Sequence, residues 1–116
     1  MAVAIADLDN DGDEDIAAAM YYYASVAVLM NNGDGTFAPA ALIGDQYGTN
    51  SVIAADLDAD GDVDLATCSQ NTNQVSVFHN NGDGTFESYV SYDVGEVPRQ
   101  VIAADVDGDL IWIWPR

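Results

Sequence analysis

The sequence predicts an all-β protein made of β-propeller blades, each of four antiparallel strands, with about two and a half blades in the chain. Three observations predict it. Segments recur at a constant interval of 49 residues, the recurring segments are short strands punctuated by Gly, Asn and Asp, and helical periodicity is absent. Ala6-Asp7-Leu8-Asp9 returns as Ala55-Asp56-Leu57-Asp58. Asn31-Asn32-Gly33-Asp34-Gly35-Thr36-Phe37 returns unchanged as Asn80-Asn81-Gly82-Asp83-Gly84-Thr85-Phe86. Val52-Ile53-Ala54-Ala55-Asp56 returns as Val101-Ile102-Ala103-Ala104-Asp105. Seven consecutive identities at one fixed shift do not arise from composition. A stride of this length filled with strands points to blades, not to helical solenoids.

Within the first period the strands are expected over residues 3–6, 15–20, 25–30 and 37–43, and within the second over 52–55, 64–68, 74–79 and 86–92. The third strands alternate, with Val26 and Val28 (Val75 and Val77 in the second copy) on one face, as a half-buried strand requires. Asn-Gly and Asp-Gly pairs between strands three and four supply the positive-φ positions of a hairpin. A third period begins with a strand over 101–104 and continues with one over 110–114. The chain therefore divides into blade 1 (about 1–49), blade 2 (about 50–98) and a partial blade 3 (about 99–116). Propellers close with about four to eight blades, and each blade buries its faces against neighbours. Completion by homo-oligomerisation is the expectation, with a piece of a longer protein as the alternative.

Charge narrows the function classes. The 116 residues hold 20 Asp and Glu against 2 Lys and Arg, a formal charge of -18. Nothing in such a chain would neutralise phosphates, so nucleic acid is excluded as a partner. No uncharged apolar run is long enough to span a bilayer, so membrane insertion is not expected. Residues 1–6 lead into Asp7 with no basic segment or cleavage site, so no signal peptide is read in this chain. The single cysteine, Cys68, allows no disulfide within the chain.

The acids cluster at fixed places. Residues 7–15 and 56–64 both fit D-x-D-x-D-G-x-x-D. Calcium is a hard cation that takes about six to eight oxygens at roughly 2.3–2.6 Å, and a loop that curls at a glycine can converge carboxylates from positions 1, 3 and 5 upon it. On this reading Asp7, Asp9, Asp11 and Asp15 are side-chain ligands and Asp13 contributes its carbonyl. Asp56, Asp58, Asp60 and Asp64 repeat the set, with Asp62 through its carbonyl. The loop resembles the start of an EF-hand, but its last acid comes at position 9 and no helices flank it. Mg2+ suits it less, because that ion keeps its waters and demands a tight octahedron. The third copy is defective: Asp105, Asp107 and Asp109 keep the first acids, but Leu110 replaces the glycine and Ile113 stands where the closing acid belongs. A two-residue deletion, matching Asp109-Leu110 to Asp64-Leu65, would account for it, and weak or no binding is expected there.

These loops, together with the Asn-Asn-Gly-Asp-Gly-Thr-Phe turns, resemble the FG-GAP/VCBS repeats of integrin-type propellers, bacterial surface proteins and some propeller lectins. The resemblance spans roughly residues 3–110. It implies calcium on the loops joining strands one and two, an extracellular or cell-surface location, and a role in scaffolding or in binding proteins or glycans. No enzyme is expected. The only histidine, His79, aligns with Met30 and is read as a structural strand residue, while Cys68 aligns with Ala19 and is read as core. Without a second histidine no nucleophilic triad or zinc set can be assembled. Tyr21, Tyr22 and Tyr23 stand between strands two and three, where they would stack on a sugar or partner or pack on the next blade. Trp112 and Trp114 share a face of the last strand and are read as an interface stripe, with a core stripe or a non-native end of a truncated frame as the alternatives. The leading function is a calcium-stabilised scaffold or binding module. The alternatives are a lectin-like propeller and a fragment that assembles with no ligand beyond calcium.

Overall fold

The computed structural model describes residues 2–20, 25–44, 48–69, 72–93, 101–105 and 111–115, the last two stretches as backbone. Strands β1 (Ala2–Ala6), β2 (Asp15–Met20), β3 (Ser25–Leu29) and β4 (Ala41–Ile43) form one antiparallel sheet in chain order. Strands β5 (Thr49–Ala55), β6 (Asp64–Ser69), β7 (Gln74–Phe78) and β8 (Val90–Asp93) form a second of the same order. Strands β9 (Val101–Asp105) and β10 (Ile111–Pro115) pair as a two-stranded sheet. No helix occurs among the described residues. Both complete sheets are blade-like, each strand pairing antiparallel with the next in the chain.

The first three strands of each period stand within a few residues of where the alternation puts them. The fourth strands start later than predicted, at Ala41 and Val90 instead of Phe37 and Phe86. Phe37 and Phe86 keep only isolated bridges to Asn31 and Asn80, and each is followed by one ladder bond, Ala38 N–H to the Met30 carbonyl and Glu87 N–H to the His79 carbonyl. The chain then swings away from the ladder. In the second sheet Tyr89 sets its ring against Phe78, 5.4 Å between centroids.

Strand β2 reads Asp-Ile-Ala-Ala-Ala-Met, a composition that favours helix when isolated. It is a strand because the space is flat and shared: Ala17 and Ala19 are buried against the second sheet, and small side chains let the sheets approach. The core lies between the sheets. Ala17, Ala19, Val26 and Val28 from the first meet Val52, Leu65 and Phe78 from the second, with Ala2, Ala4 and Ala6 at the margin. First strands neighbour one another in order, β1 against β5 and β5 against β9. Strand β6, with neighbours on both faces, is buried along its whole length.

Repeat symmetry makes one face of the first sheet an exception. Val3 and Ile5 are 54% and 63% exposed, whereas Val52, 49 residues on from Val3, is 5% exposed because the first sheet covers it. Likewise Ile16 is half-buried and its counterpart Leu65 fully buried. The turn at Gly84 touches Asp9 and Met30 of the first sheet so closely that a Cβ there would run into the methionine methyl, while the same turn at Gly35 faces open space. The first sheet thus presents bare what the second sheet has covered.

The connections from β1 to β2 and from β5 to β6 share one backbone path. Asn10 and Ala59 take φ of 62° and 61°, and Gly12 and Gly61 take 92° and 89°. Asn tolerates the left-handed region, whereas Ala adopts it at a cost of roughly 1–2 kcal/mol. Leu8, in the middle of the acidic loop, is 1% exposed and points into the core, while its counterpart Leu57 is half-buried.

Two outcomes are expected in urea unfolding with calcium present. Leu8→Ala lowers stability by about 3 kcal/mol and Leu57→Ala by only about 1 kcal/mol, since only the former empties a filled core site. Ala59→Gly raises stability by about 1 kcal/mol while Gly61→Ala lowers it by at least as much, because both residues lie in the left-handed region. Equal effects at Leu8 and Leu57, or a neutral Gly61→Ala, would contradict this placement.

Candidate metal centres

Each acidic loop is organised by its own amides. Asp7 accepts hydrogen bonds from Asp11 N–H (3.2 Å) and Gly12 N–H (2.9 Å), and Asp11 accepts one from Asp13 N–H (2.8 Å). In the second loop Asp56 accepts from Asp60 N–H (3.2 Å) and Gly61 N–H (2.9 Å), and Asp60 from Asp62 N–H (2.9 Å). The glycine at position 6 makes this possible, because its positive φ turns its N–H back towards the first aspartate.

The closing aspartates differ from the rest. Asp15 and Asp64 have no exposed surface. Each is held at both oxygens: Asp15 by Leu8 N–H (2.7 Å) and Asn31 N–H (2.8 Å), Asp64 by Leu57 N–H (3.0 Å) and Asn80 N–H (2.8 Å). One donor comes from the acidic loop and the other from the turn after the third strand. The carboxylate therefore locks the two connections at the same end of the sheet.

Around these anchors the oxygens converge. Asp7, Asp9 and Asp15 place ligand atoms within 4.8 Å of one another in the first loop, and Asp56, Asp58, Asp60 and Asp64 do so in the second. Two oxygens bound to one Ca2+ at about 2.4 Å each are at most about 4.8 Å apart, so both sets meet the requirement. Asp11 stays outside the first set although its counterpart Asp60 joins the second. Asp13 and Asp62 take no part through their side chains, which lean on the turn glycines Gly33 and Gly82. Their carbonyls are the atoms that the sequence assigns to the ion.

Electrostatics registers the crowding. Burial, the hydrogen bond with Asp11 and the charge of Asp15 hold the Asp9 carboxyl above its ordinary pKa. Burial, the hydrogen bond with Asp60 and the charge of Asp64 do the same at Asp58. At Asp56 burial pulls upward, but the Gly61 and Asp60 amides outweigh it and the carboxyl lies below the usual range. Asp34 and Asp83, on the turns, are lowered by the hydroxyls and amides of Thr36 and Thr85. The acidic pattern thus separates into turn-formers and cluster members.

Sequence reasoning missed the asparagines. Asn31 and Asn80 carry no role in the sequence reading beyond opening the repeated turn, yet both side chains tie that turn to the acidic loop. Asn31 Nδ2 donates to the Glu14 carbonyl (3.0 Å) and Asn80 Nδ2 to the Val63 carbonyl (2.8 Å). Asn80 Nδ2 also reaches the Leu8 carbonyl of the first sheet (2.7 Å). A second cross-sheet link runs from Asn10 Nδ2 to Asp62 Oδ1 (2.9 Å) and the Gly82 carbonyl (3.0 Å). The signal was present, since a two-residue hairpin needs one Asn-Gly pair and the repeat keeps an extra asparagine before it.

The structure corrects the reading of the third loop. Ala6 pairs with Asp15 and Ala55 with Asp64, but Ala104 pairs with Trp112. Trp112, and neither Ile113 nor Asp109, occupies the register of the closing aspartate. Among Asp105, Asp107 and Asp109, the last two lie outside the described residues, and Asp105 is placed as the final position of β9. Tyr21, Tyr22 and Tyr23 also lie outside the described residues, and Trp112 and Trp114 are placed as positions of β10. Cys68 is fully buried, its thiol pushed up to about 11 by burial despite a hydrogen bond with Ser51, which fits a core residue and not a nucleophile.

Comparison with known families agrees with the repeat geometry. The profile of the FG-GAP-like repeat matches residues 7–67 and again 56–111, the two matches beginning at the first aspartate of each loop. No curated protein matches the chain. With paired four-stranded sheets, two equivalent aspartate corners and a family match over most of its length, the chain belongs to the FG-GAP-like repeat family.

Proposed function

We propose that the two aspartate corners bind Ca2+ and that the chain is a structural or binding module of an extracellular β-propeller, not an enzyme. The observation that carries this reading is the convergence of carboxylate oxygens at both corners, in a chain with 20 acids and 2 basic residues. Close carboxylates repel, and among the described residues no Lys or Arg stands beside them. Asp7, Asp9, Asp11 and Asp15, with the Asp13 carbonyl, would hold one ion; Asp56, Asp58, Asp60 and Asp64, with the Asp62 carbonyl, would hold the other. Each ion would discharge its corner and fix the first-to-second-strand connection against the neighbouring turn. Calcium at extracellular concentration suits modules of this kind.

The bare face of the first sheet supports assembly. Val3 and Ile5 stand where Val52 and Ala54 stand in the covered sheet, so another blade of the same type fits there, and a second copy of the chain supplies one. Propeller closure by homo-oligomerisation follows from the same reasoning, and a protein or glycan ligand would be bound by the completed ring.

Removal of calcium tests the first part. A ligand at 100 times its Kd adds about 2.7 kcal/mol per site to stability, so excess chelator is expected to lower the melting temperature markedly and native mass spectrometry to report two Ca2+ per chain. A melting temperature indifferent to chelator removes the calcium reading. For assembly, sedimentation is expected to give a multiple of the chain mass that Ile5→Asp reduces to one; a single-chain mass for the unaltered protein rejects it.

A further inference from the structure

The two corners differ in one donor. The residue after the third strand is Met30 in the first repeat and His79 in the second. Met30 turns towards Gly84 of the other sheet, whereas His79 turns inward. Its Nδ1 lies 3.2 Å from Asp58 Oδ2 and 3.8 Å from Asp64 Oδ2. Asp58, Asp64 and His79 place ligand atoms within 4.8 Å of one another. The side chain as a whole is 36% exposed, but Nδ1 itself is sealed from solvent and makes no hydrogen bond. This ring nitrogen and the two carboxylates beside it point at the same space.

We infer that the second corner is a mixed nitrogen and oxygen site, with His79 Nδ1, Asp58 and Asp64 as its defining ligands, selective for a first-row transition ion such as Zn2+ relative to the all-oxygen first corner. The inference rests on the corners being metal sites and names what distinguishes them. Carboxylate and carbonyl oxygens suit Ca2+, Mg2+ and Mn2+, while imidazole suits Zn2+, Ni2+ and Cu2+. The geometry is supported from behind. Asp64 is oriented by the Leu57 and Asn80 amides, and the His79 carbonyl is fixed by Glu87 N–H at 2.9 Å, which sets the backbone from which the ring projects. The first corner has the same anchored aspartate but offers no nitrogen.

Because His79 is the only histidine, ring 15N NMR of the full chain reports one residue. The chain is first saturated with Ca2+ and then titrated with Zn2+. The expected result is that Zn2+ displaces one of two calcium ions and shifts the Nδ1 resonance to a metal-bound position while Ca2+ alone does not. His79→Met, which installs the residue of the first repeat, is expected to weaken Zn2+ binding by about tenfold or more and to leave two Ca2+ bound. Zn2+ binding with Nδ1 unmoved, or unchanged Zn2+ affinity in His79→Met, overturns the proposal, as does a ring that stays protonated and paired with Asp58 under saturating Zn2+. Failure of Ca2+ to bind at either corner would instead remove the metal reading beneath it.

Discussion

A carboxylate with no exposed surface is the constraint around which the structure is arranged. Asp15 and Asp64 are buried in a protein that has almost no basic residues to pair with them. Burying an ionised group without compensation costs several kcal/mol at least, so these two must be met by dipoles or by a cation. Backbone amides meet them first. Because the amides come from two separate connections, each carboxylate forces the acidic loop and the turn after the third strand to the same end of the sheet. Strand ends, turn positions and the placement of Asn80 between sheets all follow from that junction.

The remaining carboxylates of each loop are placed by shorter-range rules. Asp7, Asp11, Asp56 and Asp60 cap amides a few residues ahead and so shape the loop. That shape brings oxygens of Asp7, Asp56 and Asp60 close to the buried aspartate of their loop, with Asp11 left outside, and the raised pKa values of Asp9 and Asp58 show the electrostatic consequence. The same hydrogen bonds that stabilise the backbone therefore concentrate negative charge. Local folding and charge repulsion pull in opposite directions here, and a bound cation is what would reconcile them.

Much of this was legible in the sequence because it is local. The aspartate spacing, the glycine that turns the loop and the two-residue alternation of Val26 and Val28 are carried by neighbouring residues. What escaped depends on distant ones. In the second sheet the residue before β8, Tyr89, packs on Phe78, a contact that no pattern in residues 86–92 announces. The linking role of Asn80 depends on a carbonyl 72 positions away. The inward turn of His79 depends on a loop about 20 residues earlier, so alignment with Met30 concealed it. Counting residues placed the third closing position at Ile113 or Asp109, whereas strand register puts Trp112 there, since pairing and not spacing fixes which residue faces Ala104.

The repeat also separates what the architecture requires from what individual blades can alter. Positions identical in both copies, such as Asp15 and Asp64 or Asn31 and Asn80, hold backbone groups of two connections together, and changing one would orphan several partners at once. Positions that differ lie beside this framework without belonging to it. Asn10 links the first loop to the second sheet, while Ala59 at the equivalent strained position links nothing through its side chain. Leu8 plugs the core and Leu57 only half does. A fixed junction surrounded by free positions lets neighbouring blades diverge in affinity, rigidity and contacts while keeping one fold. Individual character is therefore to be sought one residue away from the repeated motif, where a substitution changes chemistry without disturbing the buried carboxylate.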